Sequence, residues 1–112
     1  MSQANGSERR SSDRQRTLLA GILIHGAAAL TVDCAIRDLS KSGARVRLGA
    51  PDNFSKPLML LVCRSGEAFE AEITWRRAND VGLTFLRQCN LSAAETPIEK
   101  AARRLWIERS AR

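Results

Sequence analysis

Residues 68–85 read AFEAEITWRRANDVGLTF, and this stretch decides the fold. From Phe69 to Trp75 apolar residues alternate with polar ones, and the segment Val81–Phe85 alternates in the same way. Because successive side chains of a strand point to opposite faces, each half presents one apolar face. The pair Asn79-Asp80 between the two halves is typical of a hairpin turn. The stretch therefore predicts two antiparallel strands.

Four more segments upstream have the composition of short strands, and turn residues separate them. They are residues 17–25, 31–39, 44–48 and 58–63. Six short strands at close spacing, with no long helix between them, favour an antiparallel barrel or sandwich. We therefore predict one mainly β domain over residues 17–88.

The two ends of the chain differ from this β pattern. Residues 1–16 are polar and rich in arginine and serine, which predicts a flexible N-terminal arm. Near the other end, Thr96-Pro97-Ile98-Glu99 is a capping box with proline at the first helical position. Apolar residues then recur at helical spacing up to Trp106. We predict an amphipathic α-helix within residues 92–110 that packs on the sheet.

Composition limits the class of protein. The 112 residues suffice for one domain, and the net charge is 18 − 12 = +6, with only three lysines among the eighteen basic residues. The planar guanidinium of arginine suits phosphate or guanine recognition. The longest apolar run, residues 18–24, is too short to cross a bilayer, and the polar start is unlike a secretory signal. We expect a cytoplasmic protein without membrane insertion.

The side chains that support metal binding or catalysis are scarce. One histidine and three cysteines without a Cys-x-x-Cys pair argue against a metal site and a disulfide framework. The chain has no Gly-rich phosphate loop and no nucleophile elbow. Asp33 and Asp38 lie five residues apart, so on one strand they would face opposite sides. We therefore predict no enzyme activity, no metal and no cofactor.

Two short motifs remain. Arg10 and Arg14 form an R-x-x-x-R pattern in the arm, and Asp38–Gly43 reads D-x-S-x-x-G at the end of the second predicted strand. Taken singly, the first could be a solvated basic tail. The second could be an ordinary Asp/Ser/Gly turn with Gly43 at positive φ.

The order of these motifs along the chain is more specific than either motif. Arginines precede the first strand, D-x-S-x-x-G leads into Ala44-Arg45-Val46, and Trp75-Arg76 precedes Val81–Phe85. This order, over roughly residues 9–87, resembles the PilZ domain family of bacterial cyclic di-GMP receptors. The resemblance implies a six-stranded antiparallel β-barrel with a C-terminal helix, in agreement with the strand pattern.

The resemblance also implies roles for individual residues. Arg10 and Arg14 match the arginines that grip the phosphates and guanine edges of the ligand, and Arg9 would add a phosphate contact. Asp38 matches the carboxylate that accepts from guanine N1–H and N2–H. Ser40 would supply a hydroxyl, and Gly43 would permit the turn and a close approach of the ligand. Ser42 and Arg45 could also line the site, but we do not include them among the candidate ligand-binding residues.

Trp75 admits two interpretations. Its alternation with Phe69, Ala71 and Ile73 predicts a core side chain. Alternatively, an aromatic residue at the end of a strand, next to Arg76, could line the ligand surface. We therefore include Trp75 among the candidate ligand-binding residues.

The expected function is that of a monomeric cyclic di-GMP receptor acting on a downstream protein, and the resemblance implies a partner in the flagellar system. Similar single-domain PilZ proteins restrain flagellar motility, so an effect on motility or surface attachment is implied. One alternative is a small basic barrel that binds nucleic acid, which the net charge favours. The scarcity of stacking aromatics argues against it. A second alternative is a PilZ adaptor that binds no ligand.

Overall fold

Six strands of this protein close into one antiparallel barrel. The computed structural model describes the backbone of residues 14–110 and the side chains of residues 18–109. The strands are β1 (Arg14–His25), β2 (Leu30–Ser40), β3 (Gly43–Leu48), β4 (Leu58–Val62), β5 (Ala68–Arg77) and β6 (Asp80–Cys89). They close in the order β1-β2-β3-β6-β5-β4, which confirms the predicted six-stranded barrel. A short 3₁₀ turn (Leu91–Ala93) leads into the C-terminal helix α1 (Pro97–Ser110).

Several boundaries differ from the predictions, and α1, for example, starts at Pro97 rather than at the lower end of the predicted range 92–110. Strand β1 begins at Arg14, so the last three residues assigned to the arm pair with β2 instead. The rest of the predicted arm, residues 1–13, lies outside the described chain. The β5–β6 turn is one residue earlier than predicted, because Arg77 pairs with Asp80. Ala78 takes a φ of 54° in this turn, and Asp80 is already the first residue of β6.

The fold has two apolar layers that share strands β1 and β4. All five residues of β4 are buried, because alternate side chains point into the barrel and outward beneath α1. Leu23 and Leu60 belong to the interior cluster, whereas Ile22 and Leu61 belong to the outer one. This two-sided burial explains why these segments read as continuous apolar runs rather than alternating ones.

The predicted capping box starts α1. The Glu99 amide donates to Thr96 Oγ1 at 3.2 Å, and the Thr96 amide donates to Glu99 Oε1 at 3.1 Å. Arg87 donates to the other carboxylate oxygen of Glu99 at 2.9 Å. Backbone hydrogen bonds from Glu95 and Thr96, and then Arg87, lower the pKa of Glu99 to about 2. These contacts fix α1 against the barrel. No helix in the described part of the chain is long and apolar enough to span a membrane.

Candidate functional site

A polar cleft of about 440 Å³ lies where the β2–β3 turn meets strands β5 and β6. Its lining includes most of the D-x-S-x-x-G motif together with residues of the other two strands. These residues are Asp38, Ser40, Ser42, Gly43, Ala44, Arg45, Thr74, Trp75, Leu83 and Thr84. Three larger clefts, of about 620, 560 and 480 Å³, occur elsewhere in the described chain. The smaller cleft is the stronger candidate because four of the predicted ligand-binding residues, Asp38, Ser40, Gly43 and Trp75, line it together.

Ser40 organises the β2–β3 turn. Its Oγ accepts from the backbone N–H of Gly43 at 3.2 Å and lies 3.3 Å from the Ser42 amide nitrogen, which also donates to it. Such side-chain-to-backbone hydrogen bonds stabilise a tight turn locally. The hydroxyl therefore already has a structural role at the edge of the cleft.

Gly43 is required for a different reason than a positive φ. Positive φ values occur at Gly26 and Gly66 but not at Gly43, so that interpretation was wrong. A Cβ at Gly43 would instead overlap the carbonyl oxygen of Leu83 on the adjacent strand β6. The Phe85 amide donates to the Ser42 carbonyl at 2.8 Å beside this contact. Gly43 therefore lets β3 and β6 approach closely at the cleft.

Asp38 is held in the cleft by an ion pair. A register shift between Ile36 and Asp38 interrupts the β2–β3 pairing, and Asp38 then lies opposite Arg45. Arg45 Nε donates to Asp38 Oδ2 at 2.6 Å, and Asp38 is only 5% exposed. Asp33, in contrast, has a side chain that is 84% exposed, so the two aspartates do not form an acid/base pair.

The ion pair continues along β3 to the start of β6. Arg45 Nη1 lies 3.7 Å from Asp80 Oδ2, and Arg47 Nε donates to Asp80 Oδ1 at 2.8 Å. We call Asp38, Arg45, Asp80 and Arg47 the β3 ladder. The hydrogen bond from Arg47 is the main cause that lowers the pKa of Asp80. Both carboxylates of the ladder thus have a cation beside them.

Trp75 is a surface residue of the cleft and not a core residue. A register shift between Ile73 and Trp75 breaks the alternation on β5, and Thr74 donates to the Gly82 carbonyl at 3.3 Å within this bulge. The Trp75 side chain then lies over Gly82, where a Cβ would overlap the indole. It is 44% exposed, so the prediction of a core position was wrong. A bulge re-aims side chains in this way.

The structure does not describe the side chains of the three remaining predicted ligand-binding residues, Arg9, Arg10 and Arg14. Arg9 and Arg10 lie outside the described residues. Arg14 begins β1, and its backbone pairs with Ser40 at the cleft, although its side chain is also outside the described part. Arg76, the neighbour of Trp75, turns away from the cleft: it donates to the Asp52 carbonyl and lies over the Phe54 ring.

Sequence reasoning gave too little weight to Arg45. Its position seven residues after Asp38, across a short turn, was the available signal, because such spacing brings two residues onto neighbouring strands.

Together, the residues of the cleft offer a carboxylate acceptor, hydroxyls and an aromatic face, which suit a planar base with N–H donors. Among the described residues, no group of three or more metal-ligating side chains is clustered.

Comparison with known proteins agrees with this geometry. The PilZ domain family matches residues 8–96, which include the whole barrel and the cleft. A comparison with curated proteins gives no match. Because the family match covers most of the 112 residues, the chain belongs to the PilZ family, whose domains in general bind cyclic di-GMP.

Proposed function

We propose that this protein is a cyclic di-GMP receptor that transmits the level of this second messenger to a protein partner. The observation that carries the proposal is the convergence of Asp38, Ser40, Gly43 and Trp75 on one cleft. Three different strands, β2, β3 and β5, contribute these residues, so their meeting is a property of the fold. Their chemistry matches one half of a guanine dinucleotide.

Recognition of the guanine base is assigned to Asp38 and Trp75. The Asp38 carboxylate accepts from N1–H and N2–H, a pattern that adenine lacks. The exposed face of the Trp75 indole stacks on the base, and the contact with Gly82 holds that indole in place. Stacking supplies affinity and the carboxylate supplies specificity.

Recognition of the phosphates is assigned to Arg10 and Arg14, with Arg9 as an additional contact. The pairing of Arg14 with Ser40 brings the start of β1 to the cleft and supports this assignment. Charge-assisted hydrogen bonds contribute about 1.5–3 kcal/mol each. Loss of one arginine should therefore weaken binding at least about tenfold.

The output is assigned to another protein. A monomeric receptor in the cytoplasm would present a new surface when the ligand joins the arginines that precede β1 to the cleft, and a partner would bind the liganded form better. By resemblance to single-domain PilZ proteins, that partner belongs to the flagellar system, and binding restrains motility or promotes attachment. The family match and the cleft chemistry support a receptor rather than an enzyme.

Calorimetric titration of the full chain with cyclic di-GMP tests the proposal. We expect saturable binding in the micromolar range or tighter, which Asp38→Asn abolishes. Asp33→Asn is the matched control, because Asp33 lies on the same strand with an exposed side chain and outside the cleft. If folded wild-type protein produces no heat, the receptor proposal is wrong. A titration with single-stranded RNA at several salt concentrations would then test the nucleic-acid alternative.

A further inference from the structure

Arg45 is a cation in direct contact with the proposed base-reading carboxylate. Its Nε donates to Asp38 Oδ2 at 2.6 Å, which is short for a charge-assisted hydrogen bond. The Arg45 side chain is only 29% exposed, and the Asp38 side chain is almost fully buried. A contact this short and this enclosed restricts where the carboxylate can point.

The opposite side of the Arg45 guanidinium faces Asp80. Its Nη1 lies 3.7 Å from Asp80 Oδ2, so the planar group spans two carboxylates. Asp80 is in turn held by Arg47, through hydrogen bonds of 2.8 and 3.2 Å. Arg45 thus lies between Asp38 and a second anchored anion and has little freedom to rotate.

The torsion that orients a carboxylate is broad, so packing alone leaves an aspartate poorly oriented. Reading both N1–H and N2–H of guanine requires the two carboxylate oxygens to lie in the plane of the base. We propose that Arg45 is a positioning residue: it holds the Asp38 carboxylate in the orientation that reads the guanine amino group, and thereby sets base specificity. This inference rests on the proposed function and adds a determinant of specificity to it.

Arg47 supplies a matched control. It lies two residues from Arg45 on the same strand, carries the same charge and contacts the same Asp80. The β2–β3 register, however, places Arg47 opposite Ala35 rather than Asp38. Arg45→Gln and Arg47→Gln therefore change the net charge equally, but only Arg45→Gln removes the contact with the base-reading group.

The test compares two ligands on the full chain: cyclic di-GMP and its inosine analogue, which lacks the exocyclic amino group. We expect wild type to prefer cyclic di-GMP, and Arg45→Gln to lower this preference about fivefold or more, since a bidentate base contact carries discrimination of that order. Arg47→Gln should lower the preference less than Arg45→Gln does, because it loosens the Asp80 anchor but leaves the direct Arg45–Asp38 contact in place. Arg45→Lys keeps the charge without the planar fork and should give an intermediate preference.

Each other outcome contradicts the inference. If Arg45→Gln weakens both ligands equally, Arg45 acts through charge or stability and not through positioning. If wild type binds both ligands equally, the carboxylate does not read the amino group, and the receptor function stands without this inference. If wild type binds neither ligand, the proposed function fails as well. Circular dichroism and thermal unfolding verify that each variant is folded. If Arg45→Gln does not fold, Arg45→Lys is the variant that tests the inference.

Discussion

Replacement of Trp75 by alanine tests whether the cleft works by stacking. The indole has one face against Gly82 and is 44% exposed, so a large part of its surface is open to a base. Base–aromatic stacking contributes about 1–3 kcal/mol, which corresponds to a roughly 5- to 150-fold loss of cyclic di-GMP affinity for Trp75→Ala. Because the side chain is outside the core, the unfolding free energy should fall by about 1 kcal/mol or less.

The assay is calorimetric titration of Trp75→Ala and Trp75→Phe with cyclic di-GMP, with thermal unfolding measured in parallel. Trp75→Phe keeps an aromatic face and should retain most of the affinity. Leu86→Ala is the matched control, since Leu86 is 54% exposed on β6 and does not line this cleft. Affinity within twofold of wild type for Trp75→Ala, in a protein whose binding still requires Asp38, would refute the stacking argument.

Three further predictions concern the scaffold around the cleft. Gly43→Ala forces a Cβ onto the Leu83 carbonyl, and this overpacking should lower the free energy of unfolding, measured by chemical denaturation, by about 1–3 kcal/mol. The same change should abolish ligand binding. Unchanged stability would contradict the close contact between β3 and β6. The pKa of Glu99 is lowered from its usual 4.5 to about 2, so the unfolded chain takes up this proton first, and the contribution of Glu99 to stability is present above pH 4.5 and lost as the pH falls towards 2. After allowance for solvent screening, we expect Glu99 to contribute about 1–2 kcal/mol to the free energy of unfolding at neutral pH. The Glu99→Gln variant should lack this pH-dependent contribution in acid unfolding, and identical acid-unfolding profiles for variant and wild type would refute the prediction. Burial raises the pKa of Cys34 to about 12, so in native protein at neutral pH this thiol should resist alkylation by iodoacetamide and react only after unfolding, as peptide mass spectrometry would show.

The parts of the fold that depend on local pattern were predictable. The alternation in β5 and β6 and the capping box at Thr96 each lie within a few residues of chain, and the structure contains all of them. Barrel closure was implied by the resemblance to the PilZ family, whereas the strand pattern alone left a barrel and a sandwich open. Closure and α1 together cover β1 and β4, which are apolar on both faces.

The details of the cleft depend on contacts distant in sequence. The bulges before Asp38 and Trp75 change which face these residues occupy, and the bulged segments 36–38 and 73–75 themselves contain no glycine or proline. The need for glycine at position 43 comes from the Leu83 carbonyl, forty residues away. A period-two pattern assumes an unbroken register, which explains why the alternation alone predicted a core position for Trp75 and why Arg45 received little weight.

The β3 ladder has a consequence for the rates of binding. It holds two aspartates and two arginines, so its charges cancel, and the cleft wall itself exerts little long-range attraction on an anionic ligand. Attraction over distance then falls to the arginines at the start of the chain, which should set the association rate and its dependence on salt. The neutral wall, through the short-range base contacts proposed above, should set the residence time. Capture and retention of the ligand are thus assigned to different parts of the sequence and can be altered independently.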